Sequence, residues 1–130
     1  MKKILFVCIE NSNRSQMAEA FANIHGKGIA EAFSAGSHPS GIINPKAIAA
    51  MKEVGYDLTQ HFSKSVNDFE GESFDYVITM GCGDDCPLVK ATHRLDWKVP
   101  QPKDMDKDGF RKVRDEIEEK VKELLAQFAN

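Results

Sequence analysis

The 130-residue chain has only three cysteines, one tryptophan and no apolar run longer than the six residues from Ile4 to Ile9. A cysteine count that is small and odd excludes the disulfide framework of a small secreted domain, and in a reducing compartment such residues are reactive, metal-binding or buried. The opening Met1-Lys2-Lys3 and the apolar run behind it imitate a signal peptide, but the run stops at Glu10 without a small-residue cleavage site. A cytoplasmic protein is therefore expected. Nothing approaches the roughly 18 consecutive apolar residues of a membrane-spanning helix, so no membrane partner is expected. Charge of one sign is lacking too. Seventeen Lys and Arg against twenty Asp and Glu give a net charge of −3 with both signs interspersed, which offers no footprint for nucleic acid. No repeat, low-complexity tract or Gly/Ser linker divides the chain, and its length suits a single domain over 1–130. The four histidines, His25, His38, His61 and His93, share no triad or ligand spacing, so surface or cap positions are expected for them and no metal or organic cofactor is called for.

What is present is an alternation of strand and helix signals. Ile4 to Val7 reads as a strand. Met17, Ala20, Phe21 and Ile24 then repeat at helical spacing from about Ser15 to His25, with Gly26 as the stop. Ile29 to Ser34 reads as a second strand, closing at Ala35-Gly36. Asn44-Pro45 offers an N-cap before a proline in the first helical turn, and Ala47, Ile48, Met51 and Val54 form the inner face of a helix ended by Gly55. A third strand is expected from Phe74 to Met80, and a short fourth around Arg94 to Trp97. Phe110, Val113, Ile117, Val121, Leu124 and Phe128 mark a last helix over about 107–128, with Arg114, Glu118 and Lys122 on its solvated face. Such alternation predicts an α/β fold: a four-stranded parallel sheet with helices on both sides, three layers in all. Ligands of these sheets bind beyond the carboxyl ends of the strands, which is where Cys8, Cys82 and the segment after Trp97 fall.

Cys8 ends the first strand and is followed by Ile9-Glu10-Asn11-Ser12-Asn13-Arg14-Ser15, directly before a helix. Successive backbone N–H groups of a tight loop form an anion nest, and the helix N-terminus behind it adds partial positive charge. That field favours a thiolate over a thiol, and only the thiolate is a nucleophile. Arg14 supplies a planar fork for a tetrahedral oxyanion, and the Ser15 hydroxyl can donate to the sulfur. A buried structural cysteine would need neither the polar run nor the arginine.

Cys82 and Cys86 stand four apart across Gly83-Asp84-Asp85. One helical turn would bring their Cβ atoms within roughly 5–6 Å, so a disulfide is geometrically accessible. A metal site with His93, a pair of plain loop cysteines and an occasional stress disulfide are the competing readings.

The pattern Cys-x5-Arg-Ser after an N-terminal strand resembles the phosphate loop of the low-molecular-weight protein tyrosine phosphatase superfamily, which includes phosphatases and thiol-coupled arsenate reductases. Ile78-Thr79-Met80-Gly81-Cys82 through Cys86-Pro87 is similar to the redox loop of the reductases, and Phe33-Ser34-Ala35-Gly36, Asn44-Pro45-Lys46-Ala47-Ile48 and Asp96-Trp97 extend the resemblance along the chain. The resemblance implies a relay: Cys8 attacks arsenate held by Arg14 and the Ile9–Asn13 loop, Cys82 attacks Cys8, and Cys86 attacks Cys82. The resulting disulfide would pass to thioredoxin or a similar dithiol. The runner-up it implies is phosphomonoester hydrolysis through a Cys8 phosphoenzyme.

Several positions depart from the family. Where relatives carry an Asp-Pro pair after the tryptophan, with the aspartate as general acid, this chain has Gln101-Pro102; Asp104 or Asp106 would have to supply the proton. Glu10 replaces a usual glycine and is expected to point outward. Asn13 stands where some relatives have another loop cysteine. Asn11 matches the loop asparagine and tolerates a left-handed backbone. Of four potassium ligands found in some reductases, Asn11, Glu19 and Ser34 match, whereas Lys64 takes the place of an aspartate, so no potassium requirement is expected.

Overall fold

The computed structural model describes residues 1–81 and 89–128. Its strands are β1 (Lys2–Cys8), β2 (Ala30–Gly36), β3 (Ser73–Thr79) and β4 (Lys90–Asp96), and its helices are α1 (Arg14–His25), α2 (Pro45–Lys52) and α3 (Lys107–Ala126). The sheet runs β2-β1-β3-β4 with every pairing parallel, as the alternation predicts. β1 is hydrogen-bonded on both sides, its Val7 opposite Ala35 and Thr79 and its Cys8 opposite Gly36. A strand with two partners and two covered faces must be apolar throughout, and Ile4 to Cys8 are all buried.

The period of two along β1 divides the core. Ile4, Phe6 and Cys8 join one cluster with Met17 and Phe21 of α1, Ala47 and Met51 of α2, and Phe110, Val113, Ile117 and Val121 of α3. Leu5 and Val7 join the other, with Ala35, Val66, Phe69, Phe74, Val77 and Val89. Among the described residues the second face is covered by a short 3-10 helix at Val66–Phe69, not by an α-helix. Ser65 caps that turn in a reciprocal arrangement with Asp68, and Phe69 stacks edge-on with Phe33 and Phe74, centroids 5.9 Å apart in both pairs.

Asn44 caps α2 as its spacing predicts, its side chain accepting from the Lys46 amide. The helix stops at Lys52, however, so Val54 lies beyond it and is 40% exposed, not on the inner face. The chain turns there through Gly55 at φ 84°, with the Tyr56 amide bonded back to Met51 O. β4 begins at Lys90, earlier than its apolar content suggests, because it is an exposed strand held by pairing with β3. Arg114 is not on a solvated face. It is 8% exposed and donates to Ala50 O, Glu53 and Asp115, tying α3 to the end of α2.

Candidate active site

Cys8 closes β1 at the crevice where the chain order reverses, with β2 on one side and β3 on the other. The loop behind it turns every carbonyl outward. Cys8 O accepts from the Ser37 amide, Ile9 O from His38, Glu10 O from Ser40 and the Ser63 hydroxyl, Asn11 O from Gln16, Ser12 O from Asn44 and Asn13 O from Met17. Because a trans peptide holds its N–H opposite its C=O, the amides of residues 9–14 face the loop interior. None of those amides has a protein acceptor among the described residues. Asn11 sits at φ 51°, the left-handed conformation the loop requires. Gly36 lets β2 lie against the loop: a Cβ there would be 2.6 Å from Ile9 O and 2.9 Å from Asn11 N.

The side chains complete the bowl. Cys8 Sγ is 2.9 Å from Ser15 Oγ, and Asn11 Nδ2 donates to the same oxygen at 2.8 Å. That hydroxyl accepts from Asn11, so its own proton is free for the sulfur. Arg14 is 3% exposed and donates through Nη1 to Val99 O at 2.9 Å, while its buried Nε has no hydrogen-bond partner among the described residues. No carboxylate pairs with it among them either. Among the described residues it is thus a buried cation without a counter-ion, an arrangement that costs several kcal/mol and that a bound anion would relieve. Gly81, at φ 75°, packs on the guanidinium: a Cβ would lie 2.5 Å from Arg14 Nη1.

The segment after Trp97 reaches this rim through Val99 O and through Gln101, whose Oε1 accepts from Asn13 Nδ2 at 3.2 Å. Trp97 packs on Phe6, ring centroids 5.9 Å apart. Asp104 is exposed and makes no hydrogen bond to the loop among the described residues, and Asp106 caps α3 by accepting from the Gly109 amide. Glu10 turns away to Lys103, 3.2 Å from Oε2. Asn11, Glu19, Ser34 and Lys64 do come together: Lys64 N donates to Asn11 Oδ1, Ser34 Oγ to Glu19, and the Lys64 ammonium lies 3.9 Å from Glu19 Oε1. Burial lowers the Lys64 pKa. Cys82 and Cys86 lie outside the described residues, and among those described no group of three His, Cys, Asp or Glu could hold a metal ion.

Sequence reasoning missed Gly36, Gly81, Gln16 and His61. The glycines looked like ordinary strand ends. His61, expected at the surface or as a cap, has a side chain only 5% exposed, with Nδ1 2.9 Å from Gln16 Oε1 and Nε2 2.6 Å from Tyr56 OH. Nothing in its own neighbourhood of sequence signals partners 45 residues away. His25 is the last residue of α1, which Gly26 caps, and its ring stacks on Phe21 and pairs with Glu118 at 2.8 Å.

Comparison with known proteins agrees with this fold. The chain is 39% identical over 132 residues to a protein of Synechocystis sp. named "Glutaredoxin arsenate reductase", covering 99% of this chain and 100% of that one. A solved structure described as "An arsenate reductase in the phosphate binding state" superposes with a TM-score of 0.91 at 39% identity, over 99% of this chain and 100% of the other. A thioredoxin-dependent arsenate reductase of Corynebacterium glutamicum superposes with a TM-score of 0.80 at 32% identity, over 98% of this chain and 62% of that one. Among the described residues no helix is long and apolar enough to cross a membrane. The family profile for low molecular weight phosphotyrosine protein phosphatase matches residues 3–130, and the chain belongs to that family.

Proposed function

We propose that the chain is a cytoplasmic, single-domain arsenate reductase that works by a thiol relay through Cys8, Cys82 and Cys86. The observation that carries the reading is the bowl itself: the Cys8 sulfur, six amides and a buried arginine that have no protein acceptor or carboxylate among the described residues suit one tetrahedral oxyanion. The Ser15 proton, directed at the sulfur by Asn11, stabilises the thiolate.

In this reading the Cys8 thiolate attacks arsenic of bound arsenate, forming an S–As bond while a protonated oxygen leaves as water. The Cys82 thiolate then attacks Cys8 Sγ. The S–As bonding pair passes to arsenic, which goes from As(V) to As(III) and departs as arsenite, leaving a Cys8–Cys82 disulfide. Cys86 attacks Cys82 and frees the Cys8 thiolate, and the Cys82–Cys86 disulfide is reduced by thioredoxin or a similar dithiol. The names of the relatives point to both thioredoxin and glutaredoxin as reductants. The Lys64 ammonium beside Glu19 supports turnover without potassium.

Hydrolysis of a phosphomonoester through a Cys8 phosphoenzyme is the second reading, favoured by the same oxyanion bowl and by the family profile. Gln101 weighs against it, because an amide at the rim cannot protonate a leaving alkoxide. Arsenate-dependent oxidation of thioredoxin, and separately of glutaredoxin with glutathione, measured beside aryl phosphate hydrolysis, decides between them. The reductase reading expects the first and at most slow hydrolysis. Cys8→Ser is expected to abolish both while leaving the fold intact, and retention of more than about a tenth of either activity removes Cys8 from the nucleophile role.

A further inference from the structure

Beyond the bowl, the hydrogen bonds around α1 all run the same way. Lys64 N, a backbone donor, fixes Asn11 Oδ1 as its acceptor, so Asn11 Nδ2 must face Ser15. Gln16 Nε2 faces three oxygens, Asn11 O, Asn11 Oδ1 and Phe62 O, and the two carbonyls can only accept. Gln16 Oε1 is thereby turned to His61 Nδ1, which must carry the ring proton. A neutral ring then presents a bare Nε2 to Tyr56 OH, which donates to it and itself accepts from Asn23 Nδ2 at 3.1 Å.

We propose that Tyr56, His61 and Gln16 are positioning residues for the Cys8 thiolate, forming with Asn11 and Ser15 a one-directional chain of donors that ends on the Cys8 sulfur. The inference rests on Cys8 being the nucleophile. Each donor in such a chain polarises the next, so the Ser15 hydroxyl binds a negative sulfur more strongly than an isolated serine would. The chain also holds Asn11 in its left-handed conformation, but that alone would need no particular direction. Burial lowers the His61 pKa from its ordinary 6.5, which keeps the ring neutral near pH 7. The charged groups facing the ring are Glu19 from α1, whose Oε2 is 3.7 Å from Nδ1 and acts in the opposite sense, and Lys64, which acts with burial. Arg14 faces the bowl itself. All three are kept in the variants below.

The test is the pH dependence of Cys8 alkylation by iodoacetamide on the full chain, with the Cys8 peptide quantified by mass spectrometry, a readout that does not depend on arsenate or reductant. In His61→Phe and Tyr56→Phe the rate on the acid side of the profile is expected to fall about two- to fourfold with the alkaline plateau unchanged, the size given by ~10–30% of added strength on a charge-assisted bond. His61→Asn keeps a donor near the Nδ1 position but loses the Nε2 acceptor for Tyr56, so it should bring the profile back at least to that of Tyr56→Phe. An unshifted profile in both deletion variants, or a lowered plateau that His61→Asn does not rescue, leaves these residues a structural role only and overturns the proposal. Nitrogen-15 NMR of the unaltered protein gives a measurement free of folding defects: the proton of His61 is expected on Nδ1 at pH 7.5, and a proton on Nε2 overturns the chain's direction. No arsenate turnover by the unaltered protein, with the predicted alkylation shift intact in the variants, would instead fault the proposed activity.

Discussion

A methyl group on Gly81 would stand 2.5 Å from Arg14 Nη1, and the φ of 75° would strain any side chain placed there. Gly81→Ala is therefore expected to push the guanidinium from the bowl and lower oxyanion turnover at least about tenfold, since removing one preorganised charge contact commonly costs that much. The left-handed backbone adds a loss of about 1–2 kcal/mol in stability, readable by urea unfolding. If turnover is unaffected, the guanidinium does not hold the substrate where the structure leaves its Nε unpartnered. Gln101 gives the opposite kind of prediction. Its amide already sits 3.2 Å from Asn13 at the loop, so Gln101→Asp brings a proton donor to the rim. Aryl phosphate hydrolysis should rise by about 10- to 100-fold, most for poor leaving groups. Asp104→Asn should change the wild-type rate little, and a marked fall would identify Asp104 as a substitute acid that swings in from the surface. The residues legible in the sequence, Cys8, Arg14, Ser15 and Asn11, are those whose chemistry is singular and whose spacing is local. Gly36, Gly81 and His61 were not legible, because what each does is set by partners distant along the chain.

Helix α2 and helix α3 are joined by a carboxylate clamp. Hydrogen bonds from Arg111 first and Arg114 second hold the Glu53 pKa down at about 2, against an ordinary 4.5. The folded state thus prefers the ionised carboxylate more than the unfolded chain does. The stabilisation is fully present above pH 4.5 and is lost as pH falls through about 2. Its size is tempered by solvent, since the Glu53 side chain is 37% exposed. Glu53→Gln is expected to lower the melting temperature at pH 7 and to lie progressively closer to wild type as the pH drops from 4.5 towards 2. A gap between the two that stays constant over that range would mean the clamp contributes shape and not charge. Elements were legible where burial imposed a period. The stripe from Phe110 to Leu124 gave α3, and Asn44-Pro45 gave the start of α2. Leu58–Gln60 and Val66–Phe69 are too short for a helical period, and β4, exposed along most of its length, carries no alternation to read. Arg114 escaped because a charged residue on an amphipathic helix is ordinarily solvated, and only the end of α2 makes its burial favourable.

At the scale of the molecule, the strand order β2-β1-β3-β4 brings together the parts that both proposed chemistries would share. The carboxyl ends of β1, β3 and β4 converge, so Gly81 and the Val99-to-Gln101 segment meet around the loop that follows Cys8. Binding a tetrahedral oxyanion and attacking it from Cys8 need only those parts. In the proposed relay, reducing the central atom takes two electrons from a pair of thiols; Cys8 is one, and its partner has to come from outside the loop, because Asn13 stands where some relatives carry a further loop cysteine. Cys82 follows directly on Gly81 in the sequence and Cys86 is four residues further on. The division of labour predicts that Cys82→Ser or Cys86→Ser stops arsenate turnover after a single round at most, while aryl phosphate hydrolysis stays near wild type. Single-turnover experiments separate the two variants: Cys82→Ser should release no arsenite, whereas Cys86→Ser should release one equivalent and accumulate a Cys8–Cys82 disulfide detectable by mass spectrometry. Equal loss of both activities in either variant, or a stoichiometric metal bound to the unaltered protein, would make the pair structural and return the chain to oxyanion chemistry at Cys8 alone.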